Sequence, residues 1–403
     1  MRAPPPTIGD ELFLKDAANF SLVLGGPLFQ LWRRTRLAGD TGQLLRRRVL
    51  AIVLLVWAPL LLLSAAEGHA WAGVMMPFLR DIEVHVRLLI AVPLLILAEL
   101  IVHQRMRPVV GQFLERGLVS EPARPQFDAA IAAAMRLRNS ITAETLMIAV
   151  VYVVGVGVIW RTTIALDVTS WYAAPADGGL HRSLAGWWFG LVSLPVFQFL
   201  LLRWYFRLFI WARFLWQTSR IDLTFVPTHP DRCGGMGFLG QVGYALTPFL
   251  LAQGSLLAGT IANQIFYTGA TLPEFQVEIA GLVGAMVFAV LGPMLVFGPQ
   301  LTAAKRKGLR EYGTLAQRYG REFDKKWLRG GAPEDEPLIG SSDIQSLSDL
   351  VHCVDVVKGM RFAPFSMQTA VHLAVVTVLP LAPLLLTMIS MEQLLARLLQ
   401  IVI

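Results

Sequence analysis

Cysteine is almost missing from this chain: Cys233 and Cys353 are the only two. That excludes a disulfide framework, and because neither belongs to a Cys-x-x-Cys pair, the strongest zinc signature is absent as well. Charged residues make up 16% of the chain, against about 25% in an ordinary soluble domain. The opening MRAPPPTIGDEL has no apolar core before Leu22 and no small-residue cleavage site, unlike a cleavable secretory signal. No internal repeat, inverted or direct, is visible, so the commonest mark of a secondary transporter is lacking. Also missing are a Ser-His-Asp arrangement, a paired acidic site and a nucleotide-binding motif. Nothing in the sequence asks for an enzyme or a cofactor.

Long apolar runs are what the chain has instead. Hydrophobic residues form 55% of it and its mean hydropathy is +0.56, more than a soluble core needs. Seven runs approach or reach the ~20 residues that cross a bilayer. They are Val49–Ala66, Leu88–His103, Leu146–Trp160, Leu184–Leu202, Tyr244–Tyr267, Ile279–Phe297 and Ala370–Ile389. The second and third are short and extend into their flanks. The expected fold is therefore all-α, a polytopic membrane helix bundle of about seven spans with cytoplasmic amphipathic helices.

Charge sets the expected orientation. Arg46, Arg47 and Arg48 stand directly before the first run, and the pattern recurs. With the N-terminus inside, the inner segments hold 30 of the 35 basic residues and the outer segments hold 5. Lys and Arg stay on the cytoplasmic side when loops are short. The N-terminus is thus expected in the cytoplasm and the C-terminus in the periplasm. The net charge of +7 is explained by topology and by contact with anionic lipid, without a nucleic-acid partner. Trp71, Trp160, Trp171, Trp187 and Trp188 at the outer boundaries, and Trp204, Trp211 and Trp216 at an inner one, read as interfacial anchors.

Four regions result. Residues 1–45 form an interfacial and cytoplasmic segment, with Phe20 to Leu37 too interrupted by Gly25, Gly26 and Pro27 to span. Residues 46–300 form a six-span core. Residues 301–361 form a cytoplasmic helical region, and residues 362–403 hold the seventh span and an amphipathic tail from Met391. Within the cytoplasmic region, Leu309, Tyr312, Leu315, Tyr319, Phe323 and Trp327 recur at helical spacing. After GGAPEDEP, Ser342 and Gln345 have capping-box spacing at the head of a second amphipathic helix.

Four constellations carry possible chemistry. The fifth span is the most polar: Gln253, Thr260, Gln264 and Tyr267 share one face, with Asn263 near its mouth. They read either as the lining of a pore or as interhelical hydrogen bonds. On a neighbouring face Gly254, Ala258 and Ala262 make a ridge for close packing, and the sixth span adds Gly281, Gly284, Ala285, Gly292 and Pro293. Glu99 is the one carboxylate deep in a span, with His103 one turn later. The favoured reading is a structural pair with His103, Arg203 or Arg207, and the alternative is an ion path. Arg203, Arg207 and Arg213, interleaved with aromatics, read as snorkelling residues of an interfacial helix, their spacing being wrong for a voltage sensor.

The last constellation is the loop THPDRCGGMGFLG, whose His229, Asp231 and Cys233 are all metal-capable, as are His352 and Cys353 further on. A mixed zinc site is the functional reading, but a tight turn fixed by Pro227, Pro230 and the glycines is the default. No strand precedes those glycines and no Lys-Ser/Thr pair follows, so they do not make a P-loop. At HPDRCGGMGFLG and at GSSDIQSLSDL, from Gly340 to Leu350, the chain resembles an uncharacterised group of polytopic bacterial inner-membrane proteins. The resemblance implies a bacterial inner membrane and carries no activity.

Three functions remain in competition. The first is a homo-oligomeric channel- or transporter-like protein with the fifth and sixth spans at its path. The second is a scaffold or accessory subunit that docks a protein partner through its cytoplasmic helices. The third, well behind, is a membrane enzyme using His229, Asp231 and Cys233. The topology makes its own prediction. A reporter active only in the cytoplasm is expected to work when fused after Arg329 and to be silent after Thr271. The reverse pattern in fused-reporter activity would overturn the orientation.

Overall fold

The computed structural model describes residues 20–23, 25, 42–159, 169–176, 179–333, 335–338 and 340–388. The tail from Met391, Trp160 and most of the interfacial segment lie outside the described residues. Nine helices can be followed along them. They are α1 (Gly42–Ala66), α2 (Ile82–Glu115), α3 (Arg124–Arg138), α4 (Ile141–Gly157) and α5 (Leu184–Thr218), then α6 (Thr247–Thr268), α7 (Leu272–Leu328), α8 (Ser342–Lys358) and α9 (Met367–Met388). A short antiparallel hairpin of β1 (Ala173–Ala176) and β2 (Gly179–Arg182) precedes α5.

Six of these helices are long and apolar enough to cross a membrane. A seventh crossing results when α3 and α4, which meet at 45°, are taken together. The expected all-α membrane bundle is what the chain forms, with the small hairpin added. Local chemistry sets the ends. Ser140 and Ser183 cap α4 and α5 by accepting from Ala143 and Gly186, and Ser366 caps α9 by accepting from Thr369. The cap of α8 is Ser341 and not Ser342, its hydroxyl taking the Asp343 N–H. Pro248 opens α6 and Gly269, in the left-handed region at φ 72°, ends it.

Successive loops fall at alternating ends of the bundle. At one end Glu67 accepts from Leu184 N–H, Met76 pairs with Ser170, and the Tyr267 hydroxyl donates to the Arg80 carbonyl. At the other, basic end Val119 bridges Leu223, Arg116 donates to the Gly235 carbonyl, and Gln300 donates to the carbonyls of Ser219 and Ile221. Each meeting joins loops that the charge pattern assigned to the same side.

α6 sits at the centre. It is the least apolar span and the most enclosed, 61% buried against 22% for α1. A helix carrying amides is costly against lipid and is stable when other helices surround it. It comes close to neighbours on two sides. A Cβ at Gly254 would collide with the Thr377 carbonyl of α9, and one at Gly259 would lie 3.1 Å from Val86 of α2. Gly281 and Gly284 on α7 have no such neighbour.

Two expectations are corrected here. Among the described anchors Trp171, Trp204 and Trp211 are buried, Trp188 is half-buried and Trp71, Trp187 and Trp216 are exposed, so three of the seven belong to the core. Trp204 and Trp211 are enclosed because α5 runs on to Thr218 with α3 packed along it, while Trp171 is held by Asp81 and by the Phe78 ring. Residues 20–23, expected at the interface, are likewise buried, with the Phe20 ring 5.3 Å from that of Phe214.

Beyond the basic end α7 continues as a free-standing rod. Its 57 residues amount to roughly 85 Å of helix, far more than the ~30 Å of a bilayer core. α8 folds back along it. Lys326 bonds Glu336 and Asp343, Trp327 donates to Asp343, and the Tyr319 hydroxyl donates to the Asp343 carbonyl. The α6–α9 contact generates a prediction. Gly254→Leu is expected to cost about 1–3 kcal/mol or more by forcing the helices apart. Gly281→Leu, facing open space, is expected to change stability by less than about 0.5 kcal/mol. Thermal unfolding in detergent checks both.

Candidate functional site

The site begins at Asp81, the N-cap of α2. Its Oδ1 accepts from Val84 N–H at 3.1 Å and from the Asn263 side-chain amide at 2.9 Å, and its Oδ2 accepts from the Trp171 indole at 2.9 Å. The Asn263 carbonyl oxygen in turn accepts from the N–H groups of Ile82 and Glu83 at 3.0 and 3.4 Å. The first turn of α2 would otherwise leave those donors unsatisfied. One buried carboxylate and one buried amide therefore join α2, α6 and the segment before the hairpin. Beside them, burial and then the Asp81 charge push the Tyr172 phenol up to about 12. Tyr172 thus stays protonated at neutral pH.

Above this node a cavity of about 710 Å³ opens between α2, α4, α5 and α6. Its volume is that of a small-molecule site. One wall is polar, built from Glu83, Arg87, Thr260, Asn263, Gln264 and Tyr267. The other is apolar, with Val150 and Val154 of α4 facing Phe197, Leu201 and Leu202 of α5. From Thr260 to Thr268 it follows α6 for about 12 Å at the rise of an α-helix.

Four of the five polar-face residues expected from the sequence, Thr260, Asn263, Gln264 and Tyr267, line this cavity. Gln253 stands one step behind it. Its carbonyl oxygen accepts from the hydroxyl of Tyr205, which does line the cavity, while its own buried amide nitrogen has no partner. Gln198 reaches across Gly155 on α4, where a Cβ would strike it, and its buried carbonyl oxygen is also unpartnered.

Asp81, Glu83 and Arg87 join the site in addition to the residues expected from the sequence. Asp81 stands three residues before Val84 with N-cap spacing, and Glu83 and Arg87 are four apart as an ion pair on one helix face should be. Both signals were legible. They were hidden because the span was started at Leu88, while α2 begins at Ile82 and carries all of them inward.

Glu99 lies at a different level of α2, toward the basic end, and does not line the cavity. Its carboxylate is 2.5 Å from Arg48, 2.7 Å from Arg207 and 3.6 Å from Arg203, all buried. Arg203 also reaches Glu144 at 3.7 Å. The structural-pair reading of Glu99 describes this contact, with Arg48 as an unforeseen third cation. His103 turns instead to the Ser21 hydroxyl at 2.9 Å. Arg203 and Arg207 do not snorkel to an interface, because α3 and α2 enclose that part of α5. Arg213 is exposed.

In the HPDRCGG loop the chemistry-bearing atoms are taken up by the backbone. Asp231 accepts from the N–H groups of Cys233 at 2.8 Å, Gly235 at 3.1 Å and Gly237 at 2.7 Å. Burial opposes its ionisation, but these three donors outweigh it and hold the carboxyl below its usual range. His229 leans on the same carboxylate at 2.9 Å. The Cys233 thiol, pushed up by burial, faces the Ala363 carbonyl at 3.4 Å. Among the described residues no three His, Cys, Asp or Glu side chains converge as a metal site, and His352 and Cys353 lie apart on α8.

Comparison of the chain with protein-family models, curated proteins and solved structures finds no match. The residues themselves therefore carry the functional reading. The Glu99 contacts yield a firm expectation. Glu99→Gln leaves three buried guanidinium groups facing a neutral amide and is expected to cost about 3–5 kcal/mol, whereas exposed Arg213→Gln changes little. Detergent melting curves of the two variants check the difference.

Proposed function

We propose that the protein is a channel- or transporter-like component of a bacterial inner membrane, and that the cavity between α2, α4, α5 and α6 is where its solute resides. The observation that carries this reading is the composition of α6. The least apolar span lines this half-open cavity with Thr260, Gln264 and Tyr267, and Gln264 is exposed there. Helix packing alone gives no reason to place several polar groups around an unfilled volume. The cavity lining ends at Tyr205 and does not reach Arg207, so the arrangement resembles a chamber closed toward the basic end. Charge asymmetry favours placing that end in the cytoplasm, and the HPDRCGGMGFLG resemblance favours a bacterial source.

A second reading keeps one supporting observation. The rod formed by α7 and α8 leaves Leu315, Ile344 and Val351 about half exposed, at 50%, 48% and 51%, as a surface for a protein partner would. A metal enzyme at His229, Asp231 and Cys233 is not proposed, since the Asp231 carboxylate is occupied by backbone donors.

Cysteine accessibility tests the chamber. Cys353→Ser removes the half-buried thiol while Cys233 stays buried. In that background Thr260→Cys and Gln264→Cys are expected to react with a charged, membrane-impermeant thiol reagent, because a thiolate forms only where water reaches it. Val153→Cys, exposed at 67% on the outer side of α4, is expected to stay silent in the bilayer. Silence at residues 260 and 264 would mean a dry packing defect and would remove the reading.

A further inference from the structure

The walls of the cavity differ too sharply for a small hydrophilic solute. Val150, Val154, Leu201 and Leu202 offer apolar surface, which such a solute would leave unmatched. The polar side offers two opposite charges held together. Glu83 and Arg87, one turn apart on α2, form an ion pair at the cavity wall. Arg87 also lies over the Phe197 ring at 5.6 Å, which fixes the guanidinium plane beside the cavity. Counted from Ile82, it sits about 8 Å along α2, near the N-terminal end of that 34-residue helix and away from its middle.

α4 is the thinnest wall. Its main packing is on α5, and Val153 is exposed at 67%. It turns by 45° from α3 and carries Gly155 and Gly157 at cavity level.

Together these features lead us to propose that the cavity binds a zwitterionic phospholipid that enters from the bilayer past α4. Its ammonium group meets Glu83, its phosphate meets Arg87, and an acyl chain lies along Val150, Val154 and Leu201. A guanidinium matches phosphate oxygens two at a time, and a carboxylate accepts from ammonium. A phospholipid lacking the ammonium leaves Glu83 uncompensated, so the ion pair discriminates between headgroups. The proposal rests on the reading of the cavity as a solute chamber and names what fills it.

The test is native mass spectrometry of the full chain after reconstitution in vesicles of equal parts phosphatidylethanolamine and phosphatidylglycerol. The wild type is expected to retain one phosphatidylethanolamine, favoured by about tenfold, the effect of one charge-assisted hydrogen bond. Glu83→Gln is expected to abolish the preference while still holding a lipid. Gly155→Trp, which fills the cavity, and Val154→Trp, which narrows it with less strain, are expected to lose the bound lipid. Soluble glycerophosphoethanolamine, the same headgroup without chains, is expected not to displace it. Absence of a retained lipid, equal retention of both lipids, an unaltered preference in Glu83→Gln, or displacement by the soluble headgroup would each overturn the inference. Thiol labelling at residue 264 reads the chamber independently. Labelling without a retained lipid sinks this inference alone, and absence of labelling sinks the chamber.

Discussion

A carboxylate that has left water must be paired, and Glu99 is paired with three arginines from two other helices. Much of the bundle follows from that requirement. Arg48 comes from α1, and Arg203 and Arg207 come from α5, so the contact sets how both helices stand against α2. Leu201 and Leu202, in the apolar wall of the cavity, directly precede Arg203 on the same helix. Glu83 and Arg87, in its polar wall, lie on the same α2 as Glu99. The charge cluster thus ties α2 to α5, two of the four helices that border the cavity.

Acidic residues elsewhere do comparable work with the backbone as partner. Asp81 satisfies one end of α2 together with Asn263, and Asp231 gathers three N–H groups of a glycine-rich turn. In each case a side chain capable of catalysis or metal binding is committed to donors that folding would otherwise strand. Arg361 completes the turn by donating to the Asp231 and Phe365 carbonyls, which joins the loop to the chain entering α9. What distinguishes the cavity is its lining, in which Glu83, Arg87, Thr260, Asn263 and Gln264 border a volume of about 710 Å³. That polar lining makes it the functional candidate.

The class of the protein and the positions of its spans were legible because they follow from length and hydropathy alone. Each of the seven expected runs overlaps a helix that the structure describes, with Trp160 and Ile389 outside the described residues and Tyr244 to Leu246 ahead of α6. The polar face of α6 was legible too, since helical geometry alone puts Thr260, Gln264 and Tyr267 on one side. Two kinds of residue were misread. Trp204, Trp211, Arg203 and Arg207 looked interfacial because the apolar run ended at Leu202, whereas α5 continues inside the protein. Arg48 looked like its neighbours Arg46 and Arg47, yet they are exposed and it is buried against Glu99. A charge count treats the three alike, and helical phase with a partner on another chain segment separates them.

By itself, then, the sequence determined that this is a helical membrane bundle, which loops share a side, and which face of α6 is polar. Each of these is a property of a single segment: its apolar length, its flanking charge or its 3.6-residue period. Only the tertiary structure decided that the polar face of α6 borders an open cavity and that Gln253 stops short of it. It also decided that Glu99 takes Arg48 and leaves His103 to Ser21. Those outcomes depend on which segments meet across 48 to 182 positions of chain, as Tyr205–Gln253 and Asp81–Asn263 do. A pairing at such separation is set by the packing of whole helices, and no local pattern records it.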